Sequence, residues 1–212
     1  MASFLDFFLH LDKHLADLMQ EYQTTTYFIL CLIVFCETGL VATPFLPGDS
    51  LLFAAGMLTA GNGILNIWLL IILLICSAIL GDNVNYFVGR FFGEKVFQIN
   101  FLKRLIKREY LDRTHAFYEK HGGKTIIMAR FVPIVRTFAP FAAGLGKMNY
   151  SKYISFCVGG AFLWVPLLSL CGYYFGNIPV IKNNFEKVIL AIIFISLLPI
   201  IIGYFKGRKK PA

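Results

Sequence analysis

The sequence predicts an all-α polytopic membrane protein built from two inverted repeats and one extra C-terminal transmembrane helix. Each repeat is expected to hold an amphipathic helix, a re-entrant hairpin and a transmembrane helix. Three observations carry that expectation. The chain is 58% hydrophobic and 15% charged, whereas soluble domains carry roughly 25% charged residues. Its uncharged runs, Ile64 to Gly81, Tyr153 to Ile181 and Val188 to Phe205, reach or approach the ~17–25 residues needed to cross hydrocarbon. Two interrupted apolar stretches also repeat each other. Phe45-Leu46-Pro47-Gly48-Asp49 leads to Phe53-Ala54-Ala55-Gly56, as Phe131-Val132-Pro133 and Arg136 lead to Phe141-Ala142-Ala143-Gly144. The gap from Pro to Phe is two residues longer in the second copy. Pro and Gly interrupt helices at membrane depth, and paired interruptions in two halves of a chain point to a transporter binding site.

The elements follow in order. Residues 3–21 space Phe4, Phe7, Phe8, Leu11, Leu15, Leu18 and Met19 by three and four, which predicts an amphipathic helix lying on the membrane surface. Residues 24–60 are apolar but broken by Glu37, Gly39, Pro44, Pro47, Gly48 and Asp49, so a hairpin entering and leaving on one side fits better than one spanning helix. Gly61-Asn62-Gly63 is expected to turn the chain into a spanning segment, 64–88. The second half repeats the plan. A basic surface helix covers 104–120, Gly122-Gly123 leads to the broken stretch 124–148, and a spanning segment follows at 152–175, with a kink expected at Pro166. A final helix, 186–205, has no counterpart. One domain is therefore expected over 1–205, with repeat one at 3–88 and repeat two at 104–175, followed by a basic tail at 206–212.

Charge sets the expected sidedness. Residues 90–124 hold nine Lys/Arg against four Asp/Glu, and the tail adds Lys206, Arg208, Lys209 and Lys210. Residues 1–22 hold Lys13 against Asp6, Asp12, Asp17 and Glu21. Basic loops stay cytoplasmic, so the 90–124 loop and the tail are expected inside and the acidic N-terminus outside. Tracing the segments between them makes the two hairpins enter from opposite faces. In a competing layout, 24–42 crosses fully and the N-terminus is inside. The formal charge of +8 does not signal nucleic acid, because no basic stripe interleaved with aromatics accompanies it. No cleavable signal peptide is expected from the acidic, amphipathic start. The five cysteines show no Cys-x-x-Cys spacing and read as small packing residues.

Four ionisable residues stand in or beside the broken stretches: Glu37, Asp49, Arg130 and Arg136. A bare charge at bilayer centre costs about 2.5–3.5 kcal/mol on insertion scales, so these must pair, line a hydrated cavity or lose charge. The plain structural reading is two buried salt bridges fixing the hairpins; the functional reading is a hydrated site where the hairpins meet. Arginine keeps its charge and offers a planar fork suited to phosphate. Arg130 and Arg136 would lie on opposite faces of a continuous helix, and Pro133 between them lets both converge. Apolar surroundings favour the protonated carboxyl group, which suits Glu37 and Asp49 to proton exchange. Asp82 is a secondary candidate, expected to cap its helix or pair with nearby Arg90. His10 and His14 share a helix face, but no third ligand accompanies them, so no metal is expected. His115 and His121 read as solvated. No Ser/His/Asp set, Gly-rich phosphate loop or HExxH pattern signals an enzyme.

These residues carry a resemblance. Phe35-Cys36-Glu37-Thr38-Gly39, Phe45 to Leu52, Gly81-Asp82 with Asn85-Tyr86 and Gly89-Arg90, Tyr118 to Lys124, and Ala129 to Pro140 continuing to Ala143-Gly144 resemble the DedA family of bacterial inner-membrane proteins, related to eukaryotic VTT-domain lipid scramblases. The resemblance implies a multi-pass protein of the bacterial cytoplasmic membrane with facing re-entrant hairpins. It also implies a flippase role, returning undecaprenyl phosphate across that membrane in dependence on proton motive force. Glu37, Asp49, Arg130 and Arg136 stand at positions the family treats as functional, without departure. The reading is then translocation of undecaprenyl phosphate or another anionic phospholipid. Arg130 and Arg136 hold the headgroup, and Glu37 and Asp49 relay protons. Pro47, Gly48, Pro133, Pro140 and Gly144 break the hairpin backbone, and no cofactor is expected. The rivals are a small-ion/proton antiporter and a non-transporting envelope scaffold.

Overall fold

The computed structural model describes residues 23–40, 48–62, 65–96, 126–127, 130, 133–176, 178–182, 184 and 187–188. Among them are five long helices: α1 (Gln23–Gly39), α2 (Gly48–Asn62), α3 (Ile67–Val96), α4 (Pro133–Leu145) and α5 (Tyr150–Phe175). A single further turn, α6, covers Pro179–Lys182, and none of the described residues is in a strand. The surface helices expected at 3–21 and 104–120 lie outside the described residues, as do Pro47, most of 186–205 and the tail.

Asparagines start both long apolar helices. Asn66 Oδ1 accepts from the amides of Trp68 and Leu69 at 2.9 and 3.2 Å, and Asn149 Oδ1 accepts from Ser151 and Lys152 at 2.9 and 3.4 Å. Each side chain thereby satisfies amides that a first helical turn leaves unbonded. These caps explain two differences from expectation, since α3 begins at Ile67 rather than Ile64 and α5 begins at Tyr150. The turn expected at Gly61-Asn62-Gly63 is displaced too, because α2 continues through Asn62. α3 and α5 are each apolar over 26 residues, Ile67–Phe92 and Tyr150–Phe175, long enough to cross a membrane. Both also expose large apolar side chains, among them Trp68, Ile72, Leu80, Phe162 and Leu167, which suits contact with hydrocarbon rather than water. Pro166 is accommodated inside α5. α4 opens on Pro133, where the missing amide hydrogen costs nothing.

By internal packing the chain forms two units, residues 1–33, 46–75 and 164–212 in one, and 34–45 and 76–163 in the other. In the first unit α2 crosses α5 with backbone against backbone. A Cβ on Gly56 would fall on the Ser169 carbonyl, and one on Gly172 would fall on the Phe53 carbonyl. The second unit makes the same crossing between α4 and α3, where a Cβ on Gly144 would meet the Tyr86 carbonyl and one on Gly89 the Phe141 carbonyl. Phe53-Ala-Ala-Gly56 and Phe141-Ala-Ala-Gly144 thus perform one task in two places: each lays a glycine helix flat on a longer one. Around the second crossing, Tyr86, Ile126, Ala143, Tyr153 and Cys157 form a buried core, with the rings of Tyr86 and Tyr153 stacked at 4.3 Å.

A substitution test follows. Gly144→Ala should destabilise by about 1–3 kcal/mol, because its Cβ meets backbone that cannot rotate away. Gly159→Ala, whose Cβ would sit 3.9 Å from Ile127 Cδ1, should be neutral or stabilise by up to ~1 kcal/mol. Thermal unfolding of the two purified variants gives the comparison, and equal midpoints would contradict the crossing.

Candidate functional site

Four buried charged residues of the second unit gather as two ion pairs inside an apolar core. Glu37 lies in the last turn of α1 and Arg136 in the first turns of α4, and Arg136 Nη2 donates to Glu37 Oε1. Arg130 precedes α4, and its Nη2 donates to Asp82 Oδ2 on α3. None of the four is more than 4% exposed. Removing an ion from water costs several kcal/mol, which only a well-placed partner and further hydrogen bonds offset. Two acids against two bases leave no net charge in the core.

The sequence builds each pair from small residues and polar anchors. Gly81 lets the end of α1 approach α3, since a Cβ there would meet Thr38 Oγ1 and the Phe35 carbonyl. Gly160 makes room for Arg130, as a Cβ would stand 2.6 Å from its Cδ and 2.7 Å from its Nε. Arg130 Nη2 also donates to the Cys157 carbonyl at 3.2 Å, the Cys157 thiol donates to Asp82 Oδ2 at 3.3 Å, and the Tyr153 hydroxyl donates to the Asp82 carbonyl at 2.8 Å. Asn85, wholly buried, donates through Nδ2 to the carbonyls of Thr38 and Thr137 at 3.0 and 2.7 Å. Those carbonyls stand one residue beyond Glu37 and Arg136, so a single amide ties the backbones that carry the first pair.

Asp82, Asn85, Tyr86 and Gly89 lie on one face of α3 at helical spacing, and each has its own task in this unit. The expected pairing of Asp82 with Arg90 is not found. Arg90 Nη1 instead donates to Tyr86 Oη at 3.0 Å and to the Met148 carbonyl at 3.4 Å. Asp82 is far closer to the centre than its secondary place in the sequence reading suggested, because Arg130, remote in sequence, outcompetes the neighbour along the helix. Asp49 takes a hydrogen bond from Trp164. It belongs to the other unit, in the first turn of α2, where the indole Nε1 donates to its Oδ1 at 2.9 Å. Cys157, Tyr153 and Trp164 were not singled out as site residues by sequence reasoning, and Asn85 entered only through the resemblance. Each looks like packing until a partner from a distant segment arrives. Among the described residues no cluster of three or more His, Cys, Asp or Glu could hold a metal.

The VTT domain model matches residues 46–174. Protein DedA of Escherichia coli K12 is 54% identical over 209 residues, covering 98% of this chain and 95% of that protein. An uncharacterized membrane protein of Mycobacterium leprae is 45% identical over 177 residues, 84% of this chain and 78% of its own length. The inner membrane protein YqjA of Escherichia coli K12 is 34% identical over 177 residues, 84% of this chain and 80% of its own length. No solved structure matches.

Proposed function

The chain belongs to the VTT-domain family, the DedA family of membrane proteins, and on that premise we propose that it transports an anionic lipid phosphate. The substrate in this reading is undecaprenyl phosphate, recycled across the bacterial cytoplasmic membrane with dependence on proton motive force. The observation that carries the reading is the state of Arg130. Asp82 holds its Nη2, while Nε and Nη1 make no hydrogen bond among the described residues. Nη2 belongs to both two-nitrogen edges of a guanidinium, so a carboxylate placed there blocks either fork that a phosphate would use. Glu37 takes the corresponding nitrogen of Arg136.

Carboxylate and phosphate therefore compete for one cation. When the carboxyl group is protonated it loses its hold, the fork opens, and the lipid phosphate takes its place. When phosphate leaves, the carboxylate gives up its proton and closes the pair again. Each cycle moves a proton with the anion, and at no stage is a bare charge left in hydrocarbon. Asp49 would act in the other unit, with its carboxylate oriented by Trp164. The matched glycine crossings of α2 on α5 and α4 on α3 support the two-repeat reading, and in inverted form such repeats place substrate near the bilayer midplane. The charge distribution puts the 90–124 loop and tail inside and the N-terminus outside.

A second reading, the envelope scaffold, draws support from the closed pairs themselves, which would then be permanent fasteners. Flux of labelled undecaprenyl phosphate in liposomes holding only this protein separates the two. Arg136→Lys keeps the charge but loses the fork, so it should insert normally while flux falls at least about tenfold, equivalent to ~1.4 kcal/mol. Unchanged flux would reduce Arg136 to a simple charge, and no flux from the unmodified protein would favour the scaffold.

A further inference from the structure

One face of α5 serves the Arg130–Asp82 pair. Tyr153, Cys157 and Gly160 recur along it at spacings of four and three, on successive turns. Each meets a different part of the pair. The Tyr153 hydroxyl donates to the Asp82 backbone carbonyl at 2.8 Å, and Gly160 leaves the space that Arg130 Cδ and Nε fill. Between them, Cys157 touches both ionic partners. Its thiol donates to Asp82 Oδ2 at 3.3 Å, while its sulfur and its carbonyl accept from Arg130 Nη2 at 3.5 and 3.2 Å. Oδ2 is the same carboxylate oxygen that Nη2 holds. Of the five cysteines, all among the described residues, Cys157 alone is buried.

A buried cysteine ordinarily acts as a small hydrophobe with a weak S–H donor. Here the donor is aimed at the one oxygen whose departure opens the guanidinium fork. A carboxylate accepts a hydrogen bond more strongly than a carboxylic acid does, so the contact strengthens the closed pair and fades when the carboxyl group takes a proton. Because a thiol donates weakly, it biases the pair without locking it.

We propose that Cys157 is a positioning residue for phosphate exchange: its thiol holds Asp82 Oδ2 on Arg130 and so sets how readily an anionic lipid headgroup displaces the carboxylate. The proposal rests on the competition between carboxylate and phosphate set out above, to which it adds a third member. Removing the thiol then has an effect opposite to ordinary damage. A cavity in the core would weaken lipid binding, whereas a loosened carboxylate leaves the guanidinium easier for phosphate to take.

The test measures binding of undecaprenyl phosphate to the full chain in phosphatidylcholine nanodiscs, from the concentration dependence of the Tm rise. Cys157→Ala should lower the half-saturating concentration about fivefold, the contribution of one modest hydrogen bond, while Cys157→Ser keeps a donor and should stay within about twofold of the unmodified protein. In flux measurements Cys157→Ala should saturate at less lipid but reach a lower maximum rate, because the carboxylate returns less readily. The thiol supplies a second readout through its S–H stretch in infrared difference spectra, with Cys31, Cys36, Cys76 and Cys171 replaced by alanine. That band should move to higher frequency in Asp82→Asn, whose amide accepts more weakly than a carboxylate. It should move the same way when undecaprenyl phosphate saturates the protein. A Tm rise in the unmodified protein that Cys157→Ala leaves unchanged or weakens would overturn the role of Cys157 and leave the transport reading standing. An S–H band indifferent to both Asp82→Asn and bound lipid would do the same. An unmodified protein whose Tm ignores the lipid would instead remove the transport reading, and this proposal with it.

Discussion

Asp82→Asn is expected to lower stability by about 3–5 kcal/mol, the cost of leaving a buried cation without its counter-charge. For a chain of this size that corresponds to a fall in Tm on the order of 10 °C. The amide keeps the size of the carboxyl group and can still accept from Arg130 Nη2, so lost charge, not lost volume, dominates the effect. Arg130→Met alone should be costly for the mirror reason, since Asp82 then stands as a buried anion. The double variant Asp82→Asn with Arg130→Met removes both charges and should recover much of the loss, with a coupling energy in the cycle of roughly 1–3 kcal/mol. Thermal unfolding in detergent of all four proteins measures this. Additive single losses would mean that the pair is not the unit the geometry indicates.

The partner of Asp82 also marks where sequence reasoning reached its limit. The apolar lengths of α3 and α5, the break at Pro133 and the twin Phe-Ala-Ala-Gly stretches were visible, because local patterns of polarity, Pro and Gly dictate them, whereas the asparagines that start α3 and α5 were not singled out. The four charges at Glu37, Asp49, Arg130 and Arg136 were visible as a problem, since apolar surroundings demand that ions pair, while Asp82 stood only as a secondary candidate. The pairing itself was not visible. Arg90 is eight residues from Asp82 and Arg130 is 48 residues away, and nothing local says that Gly160 clears a space for the distant side chain. Asp49 was grouped with Glu37 because both carboxyl groups stand in the same broken stretch, whereas the structure sets them in different units. Asn85 stood in the sequence only as part of the matched Asn85-Tyr86 step, and its role was not legible, because one amide bridging two carbonyls is defined only when three helices meet.

Glu37→Gln offers the sharpest separation of a working arginine from a merely structural one. By the logic applied to Asp82, it leaves Arg136 as a buried cation and should destabilise the protein in neutral lipid by about 3–5 kcal/mol. A fastener would gain nothing from substrate. If lipid phosphate competes with Glu37 for Arg136, the glutamine variant lacks the competitor and should bind that lipid more tightly than the unmodified protein does. A ligand at 100 times its Kd stabilises by about 2.7 kcal/mol, so undecaprenyl phosphate should restore most of the lost Tm in the variant. The same lipid should raise the Tm of the unmodified protein much less. In flux measurements the variant should no longer respond to an imposed pH gradient, because the group that exchanged the proton is fixed neutral. Asp49→Asn keeps an oxygen for the Trp164 indole and should respond to the gradient more nearly as the unmodified protein does. Equal lipid-dependent shifts in Tm for the unmodified protein and Glu37→Gln would sink the competition mechanism, whatever the flux. A larger shift confined to the variant ties Arg136 to the phosphate and Glu37 to the proton that displaces it.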